Sequence, residues 1–410
     1  MLIAGLLGRL VREGRLTVID AAGRRHEIAG SAPGPAVTIR LHDRRIERQL
    51  LTNPKLHFGE AYMDGRITVE EGTLADVLDL LTRNMAAIEN GSMQSLRNWI
   101  DKAFHFLLTH NPVGRAQKNV AHHYDLSGAL YDLFLDQDRQ YSCAYFMTDN
   151  DSLEVAQHNK KLHLAAKLLL EPGQKLLDIG SGWGGLGLYL AKLEQVDVTG
   201  VTLSTEQQKI SQARAVEAGL ADRVQFHLRD YRHQIGQFDR IVSVGMFEHV
   251  GPGHYREFFS KAKDLLTEDG VMLLHSIGRM EPPGATNPWM RKYIFPGGYS
   301  PALSEVLRTV EDVGLWVTDI EILRLHYAKT LNEWYRRFVR NRDRVRALYD
   351  ERFCRMWEFY LLGCEYAFRN LDQMVFQIQI ARRQDAVPLT REYITDYERQ
   401  NAAKVAIAAS

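Results

Sequence analysis

Apolar and polar positions follow three different rhythms along the chain. From Arg15 to about Asn90 the apolar runs are short. LTVID and AVTIRL read as strands, RRIERQLL is polar, GEAYMDGRITVEEG follows, and TLADVLDLLTRN has helical spacing. Asp64-Gly65, between Tyr62 and Ile67, marks a tight turn. Residues 1–92 are therefore expected to form a small α+β domain.

From Ser95 to His110 the period becomes helical: Leu96, Trp99, Ile100, Ala103, Phe104, Leu107 and Leu108 recur on one stripe, with Arg97, Asp101, Lys102 and His105 elsewhere. Such a helix packs on a neighbouring domain or lies in a membrane surface. Pro112 and Gly114 in NPVGRAQKN end it, so 93–119 reads as helix and linker.

After about Val120 strand-like KLLDIG, VDVTGVTL, VQFHLRD, FDRIVSVGMF and VMLLHSIG alternate with helix-like STEQQKISQARAVEAGL and GHYREFFSKAKDLL. That alternation predicts an α/β domain with a mostly parallel sheet and helices on both faces. SEVLRTVEDV, strand-like LWVTDIEILRL and long helical text from TLNEWYRRFVRNRDRVRALYDERF follow, and 120–410 is read as one catalytic segment.

Composition changes this picture little. Lys plus Arg equals Asp plus Glu at 51 each, so no global field recruits nucleic acid. Three cysteines, Cys143, Cys354 and Cys364, give neither a disulfide framework nor a zinc pattern, which predicts a reducing, cytoplasmic setting without metal. MLIAGLLGRLVREG is too short an apolar run for a signal peptide or a span.

Candidate chemistry concentrates in LLDIGSGWGGLGLYLA (176–191), where Gly180, Gly182 and Gly185 fit a G-x-G-x-x-G loop between a strand and a helix. Such a loop presents backbone N–H groups and a helix start to a nucleotide-type cofactor, and Gly180, Ser181, Gly182 and Gly184 are its candidate contacts. Asp178 sits just before the first glycine, where a carboxylate reaches the amino group of a methionine and repels a pyrophosphate. A dinucleotide would want an acid at the end of the next strand. The chain reads GVTLSTEQ there, offering Thr202, Leu203 and Gln207 to a ribose, with Glu206 as the acidic alternative. S-adenosylmethionine is favoured over NAD. Asp230 and Tyr231, after the third strand, offer an acceptor and a flat ring to adenine.

With HYDLSGALYDLFLD, QYSCAYF, GVTLSTEQQ, FDRIVSVGMFEHVG, LLHSIG, KYIFPGG, HYAKTLNEWYRRF and LLGCEYAFR in this order, the chain resembles the cyclopropane and mycolic acid cyclopropane synthase family. The resemblance implies a class I methyltransferase fold and transfer of a methyl carbon from S-adenosylmethionine to the cis double bond of an unsaturated phospholipid acyl chain, forming a cyclopropane ring. It further implies a bound bicarbonate ion as base, held by Cys143, Glu248, His275 and Tyr327 near the backbone of Val244 and Ile277. Tyr141 and Ser142 match residues at the methionine end of the cofactor. Cys364 matches a cysteine named in the family's active site, although CEYAF reads as helix packing. Taken singly, Cys143 reads as a small buried residue, His275 as a core histidine and Tyr327 as a strand aromatic; joint placement at strand ends favours the site.

Trp289, Met290, Tyr293, Ile294 and Phe295 are candidates for the wall of an acyl tunnel. A lipid substrate implies peripheral association with the inner face of a membrane through the N-terminal domain, the Trp99 helix or the basic Arg336, Arg337, Arg340, Arg342, Arg344 and Arg346, which otherwise form a solvated helix face. A homodimer is compatible with the resemblance. A methyl- or methylene-branched acyl product, an NAD-dependent oxidoreductase and a lipid-transfer protein are the alternatives.

Overall fold

The computed structural model describes residues 10–86 and 128–408, so the Trp99 helix and the 93–119 linker lie outside the described residues. Chain contacts divide the molecule into two compact units.

In the first unit β1 (Glu13–Ile19) pairs antiparallel with β2 (Arg25–Ala29) and parallel with β3 (Ala32–Leu41), and β4 (Ile67–Glu71) runs antiparallel on the other edge of β3. Leu16, Val18, Val37, Ile39 and Leu41 alternate toward a core shared with Ile46, Val77 and Leu80. Asp43 starts the helix Arg44–Thr52 by accepting from the N–H groups of Arg45 and Ile46. The Asp64-Gly65 turn closes a helix, Pro54–Met63, that the sequence reading left unassigned: Pro54 opens it and Gly65, at φ +69°, leads the chain into β4.

This unit also takes in Gly284–Pro296 and Leu331–Gln373, which the sequence reading placed in the third segment. Aromatic packing accounts for the inclusion. The Trp289 ring is buried, its Nε1 donates to Met63 Sδ at 3.2 Å, and it packs edge-on to Phe359 with centroids 4.8 Å apart. Tyr293 donates to Glu60 at 2.9 Å. Trp289 and Tyr293 thus have packing and hydrogen-bonding duties of their own inside this unit.

The second unit holds a seven-stranded sheet of order β10-β11-β9-β8-β5-β6-β7. Its strands are β5 (Lys175–Ile179), β6 (Asp197–Thr202), β7 (Val224–Leu228), β8 (Phe238–Val244), β9 (Leu266–Arg279), β10 (Trp316–Ile322) and β11 (Gln373–Ala381). Strands β5 to β9 are parallel, while β10 and β11 run antiparallel to each other. Leu176, Val242 and Leu273 face one apolar cluster and Leu177, Ile241 and Leu274 the other, so both faces are covered, as a mostly parallel sheet requires. The α/β expectation holds. Strand order reverses between β5 and β8, which opens a crevice beyond their carboxyl ends.

Sequence spacing does not separate the glycines of the β5 loop, but packing does. Gly184, at φ +81°, precedes the helix Gly185–Glu194, and a Cβ there would lie 2.7 Å from the Phe226 ring and 2.8 Å from Ser211 Cβ. Left-handed backbone costs an L-residue about 1–2 kcal/mol and overpacking about 1–3. Gly184→Ala is therefore expected to lower the unfolding free energy by roughly 2–4 kcal/mol. Urea denaturation of the purified variant checks it, and a loss below about 0.5 kcal/mol would contradict the packing role.

Candidate active site

A cleft opens at the switch point, lined by the β5 loop, the ends of β6 and β8, the turn after β7 and residues 139–142. Gly180 and Ser181 are fixed from behind, their N–H groups donating to the Val201 carbonyl at 2.9 and 3.1 Å. Gly182, at φ +53°, has no atom within 4 Å of where a Cβ would be. A ligand can approach its backbone without meeting a side chain.

Of the cofactor candidates, Tyr141, Ser142, Asp178, Gly180, Ser181, Gly182, Thr202, Leu203, Gln207, Asp230 and Tyr231 all line the cleft. Gly184 does not, because it packs behind the loop; Glu206 is likewise not among the lining residues. Asp178 Oδ2 and Ser181 Oγ are buried without a hydrogen-bond partner. Burial lifts the Asp178 carboxyl to about 7, against the pull of nearby Lys160. A buried carboxylate with an open oxygen is a seat for a cation such as an amino acid's ammonium. Thr202 Oγ1 donates to Gln207 Oε1 at 2.9 Å, giving a neutral pair suited to ribose hydroxyls. Asp230 caps the turn Tyr231–His233 and accepts two bonds from the Arg232 guanidinium, which fixes the carboxylate beside the Tyr231 ring. The donor set fits a nucleoside that carries an amino acid.

The proposed anion holders lie just past this cleft along the chain. Glu248 sits in the turn Phe247–His249 after β8, and its Oε1 accepts from the Ile277 N–H at 2.7 Å. Its Oε2 is buried and without a partner. Burial raises this carboxyl to about 7 although the Ile277 N–H opposes it. His275 lies on β9, opposite the last residue of β8, Val244, and two residues before Ile277. Its charged form is strongly disfavoured, by burial first and then by Lys160 and Lys167.

Cys143 is buried in the extended segment after Ser142, and burial pushes its thiol far up; Sγ donates to the Ala144 carbonyl at 3.3 Å. The Ala144 N–H donates to Thr330 Oγ1 at 3.0 Å, tying this segment to the helix His326–Arg340, whose second residue is Tyr327. Tyr327 is thus at a helix start, not in a strand: β10 stops at Ile322, and Arg324 turns the chain with φ +21°. Cys364 belongs to the first unit, on the helix Glu351–Asn370, and the other four candidates belong to the second.

Sequence reasoning missed several residues. Arg139, Gln140, Met246 and His249 line the cleft; their signal was adjacency to QYSCAYF and GMFEHVG. Lys160 carried none. This wholly buried ammonium donates to Gln140 Oε1 at 2.6 Å and Ser142 Oγ at 2.9 Å, and burial lowers it to about 8 even though Asp136 supports the charge.

Asp178 and Glu248 set a pH dependence of stability. Both carboxyls bind protons more tightly folded than unfolded, so their contribution is complete below about pH 4 and is lost as the pH rises to about 7. Asp178→Asn and Glu248→Gln should each gain stability relative to the wild type on going from about pH 5 to about pH 7.5. Parallel urea titrations measure the difference, and a pH-independent difference would show that these carboxyls are not shifted.

Residues 113–378 match the family described as mycolic acid cyclopropane synthetase, and 19–92 match a domain of unknown function. A relative named probable fatty acid methyltransferase, from Pseudomonas putida, is 37% identical over 375 residues, covering 88% of this chain and 92% of its own. The cyclopropane-fatty-acyl-phospholipid synthase of Escherichia coli strain K12 is 39% identical over 357 residues, covering 87% and 90%. A solved mycolic acid cyclopropane synthase complexed with SAH and CTAB superposes with TM-score 0.61 at 36% identity, over 66% of this chain and 99% of that one. The chain belongs to the mycolic acid cyclopropane synthetase family, on the class I fold of S-adenosylmethionine-dependent methyltransferases.

Proposed function

We propose that the protein converts the cis double bond of a phospholipid acyl chain into a cyclopropane ring, with S-adenosylmethionine in the cleft and bicarbonate as base. The observation that carries this reading is the unpartnered, buried Oε2 of Glu248, on a carboxyl raised to about 7 and bonded to the β9 backbone two residues from His275. S-adenosylmethionine supplies an electrophilic methyl to the alkene, and ring closure then removes a proton from that carbon. Asp178 would receive the methionine ammonium, Tyr141 and Ser142 its neighbourhood, Thr202 and Gln207 the ribose, and Tyr231 the adenine face.

Glu248 has one oxygen committed to Ile277 and one left that would accept the hydrogen of a bicarbonate ion held there, whose chemistry would be to take up the proton released in ring closure. His275 and Tyr327 are the donors suited to the ion's remaining oxygens, and Cys143 supplies a small, protonated wall. Burial of Cys143, of His275 and of the Glu248 Oε2 would keep water from a cationic acyl chain.

The substrate places the protein transiently at the inner membrane face. Among the described residues no helix is long and apolar enough to cross a membrane. Of the six arginines of the basic cluster, three are paired with neighbouring carboxylates, Arg336 with Glu333, Arg342 with Glu351 and Glu358, and Arg346 with Asp343. The N-terminal domain, the Trp99 segment and the remaining arginines of this cluster stay the candidates for contact with lipid.

Incubation with unsaturated phospholipid vesicles and methyl-labelled S-adenosylmethionine should place the label in a ring methylene, read by mass spectrometry of the fatty esters. A methyl or methylene branch would instead assign the product type of a fatty acid methyltransferase. Glu248→Gln should bind S-adenosylmethionine normally and lose turnover by about 10²–10⁴-fold, the usual span for a proton-transfer group. Full activity in that variant would remove the bicarbonate assignment.

A further inference from the structure

A line of hydrogen-bonded polar side chains, half-buried at Glu398 and Glu321 and buried beyond them, runs through the second unit to His275. Glu398, on the helix Glu392–Ala408, meets His163 Nδ1 at 2.6 Å, and His163 Nε2 meets Glu321 Oε2 at 2.7 Å. Lys167 Nζ donates to the same Glu321 oxygen and, at 2.7 Å, to Gln377 Oε1. Gln377 Nε2 lies 3.2 Å from His275 Nδ1. Lys167 and Gln377 are fully buried.

The hydrogen positions along the last two links follow from chemistry. An ammonium has no lone pair, so it meets the oxygen of the Gln377 amide. The amide's NH₂ is thereby turned to His275. An NH₂ has no lone pair for a ring N–H, so Nδ1 must accept. A neutral imidazole that accepts at Nδ1 carries its single hydrogen on Nε2.

We propose that Lys167 and Gln377 are positioning residues that hold His275 as its Nε2–H tautomer, so that the ring offers an N–H donor to an anion. The tautomer rests on hydrogen bonding alone, whereas its use in turnover rests on the anion reading given above. Burial together with the Lys160 and Lys167 charges keeps the ring neutral, which makes the choice of tautomer matter. Rigidity comes from both sides: the Gln379 amide donates to the Lys167 carbonyl at 2.6 Å, and Tyr145, two residues past Cys143, stacks on His163 with centroids 4.3 Å apart.

The test is nitrogen NMR of full-length protein carrying ¹⁵N-histidine, with the His275 signals assigned by their loss in His275→Gln. The wild type should show a bare Nδ1 and a protonated Nε2. Gln377→Glu keeps the length and the Lys167 contact but can only accept, so it should move the hydrogen to Nδ1. Turnover in that variant should fall about 10–100-fold, the usual effect of a residue that orients a ligating histidine, with a raised KM for bicarbonate and unchanged S-adenosylmethionine binding. A wild-type ring protonated at Nδ1 overturns the assignment, and that spectrum decides even if the variant does not fold. A Gln377→Glu ring still protonated at Nε2 overturns the role of Gln377, and a reversed tautomer at wild-type turnover overturns its catalytic use. Wild-type turnover indifferent to bicarbonate depletion would instead remove the anion reading and leave the tautomer standing.

Discussion

The helix Leu153–Leu168 is buried along most of its length, polar residues included: Gln157, Lys160, His163 and Lys167 all have almost no exposure. The charged groups among them must find partners, because an unpaired buried charge costs several kcal/mol or more. The partners are the site itself. Gln157 donates to the carbonyls of Gln140 and Ser142, Lys160 to their side chains, His163 binds Glu321 and Glu398, and Lys167 reaches β10 and β11. Satisfying one helix thus fixes the segment that carries Tyr141, Ser142 and Cys143, together with the sheet edge that carries His275's neighbour Gln377.

Two carboxylates each keep one buried oxygen open. Asp178 and Glu248 each bury one open carboxyl oxygen and are both raised to about 7, yet they face different surroundings. Asp178 lines the open cleft beside the glycine loop and feels the field of Lys160, so a cationic ligand would draw it back to its ionised form. Glu248 does not line the cleft, is anchored to β9 by one oxygen, and is poised near neutrality to hold or release a proton.

Much of this was legible in the sequence. Apolar runs located β5 to β10, the glycine spacing located the cleft, and the motif order put Glu248 after β8 and His275 on β9. What failed did so for identifiable reasons. KKLHLAAKL drew no reading at all, since periodicity alone leaves its lysines and histidine to water. Only tertiary cover by residues 136–145 and by β10 and β11 reverses that assignment. QMVFQIQIA was absorbed into the surrounding helical text, because its glutamines alternate with apolar residues in a strand buried on both faces. Gly184 is indistinguishable from Gly182 by spacing, and what separates them is the Phe226 ring, 42 positions away in the chain.

The cysteines show how far environment, not residue type, assigns the chemistry. Burial pushes Cys143 far up and Cys364 up to about 12, so near neutrality both are thiols, and a thiol is a poor nucleophile. A reactive cysteine needs a cation or helix start to outweigh burial; Lys160 lowers Cys143 somewhat but does not win. Covalent catalysis through sulfur is therefore disfavoured, and the groups left to hold the proposed anion are those whose environments set their protons: Glu248, brought near neutrality by desolvation, and His275, whose hydrogen is fixed by the amide that Lys167 turns toward it.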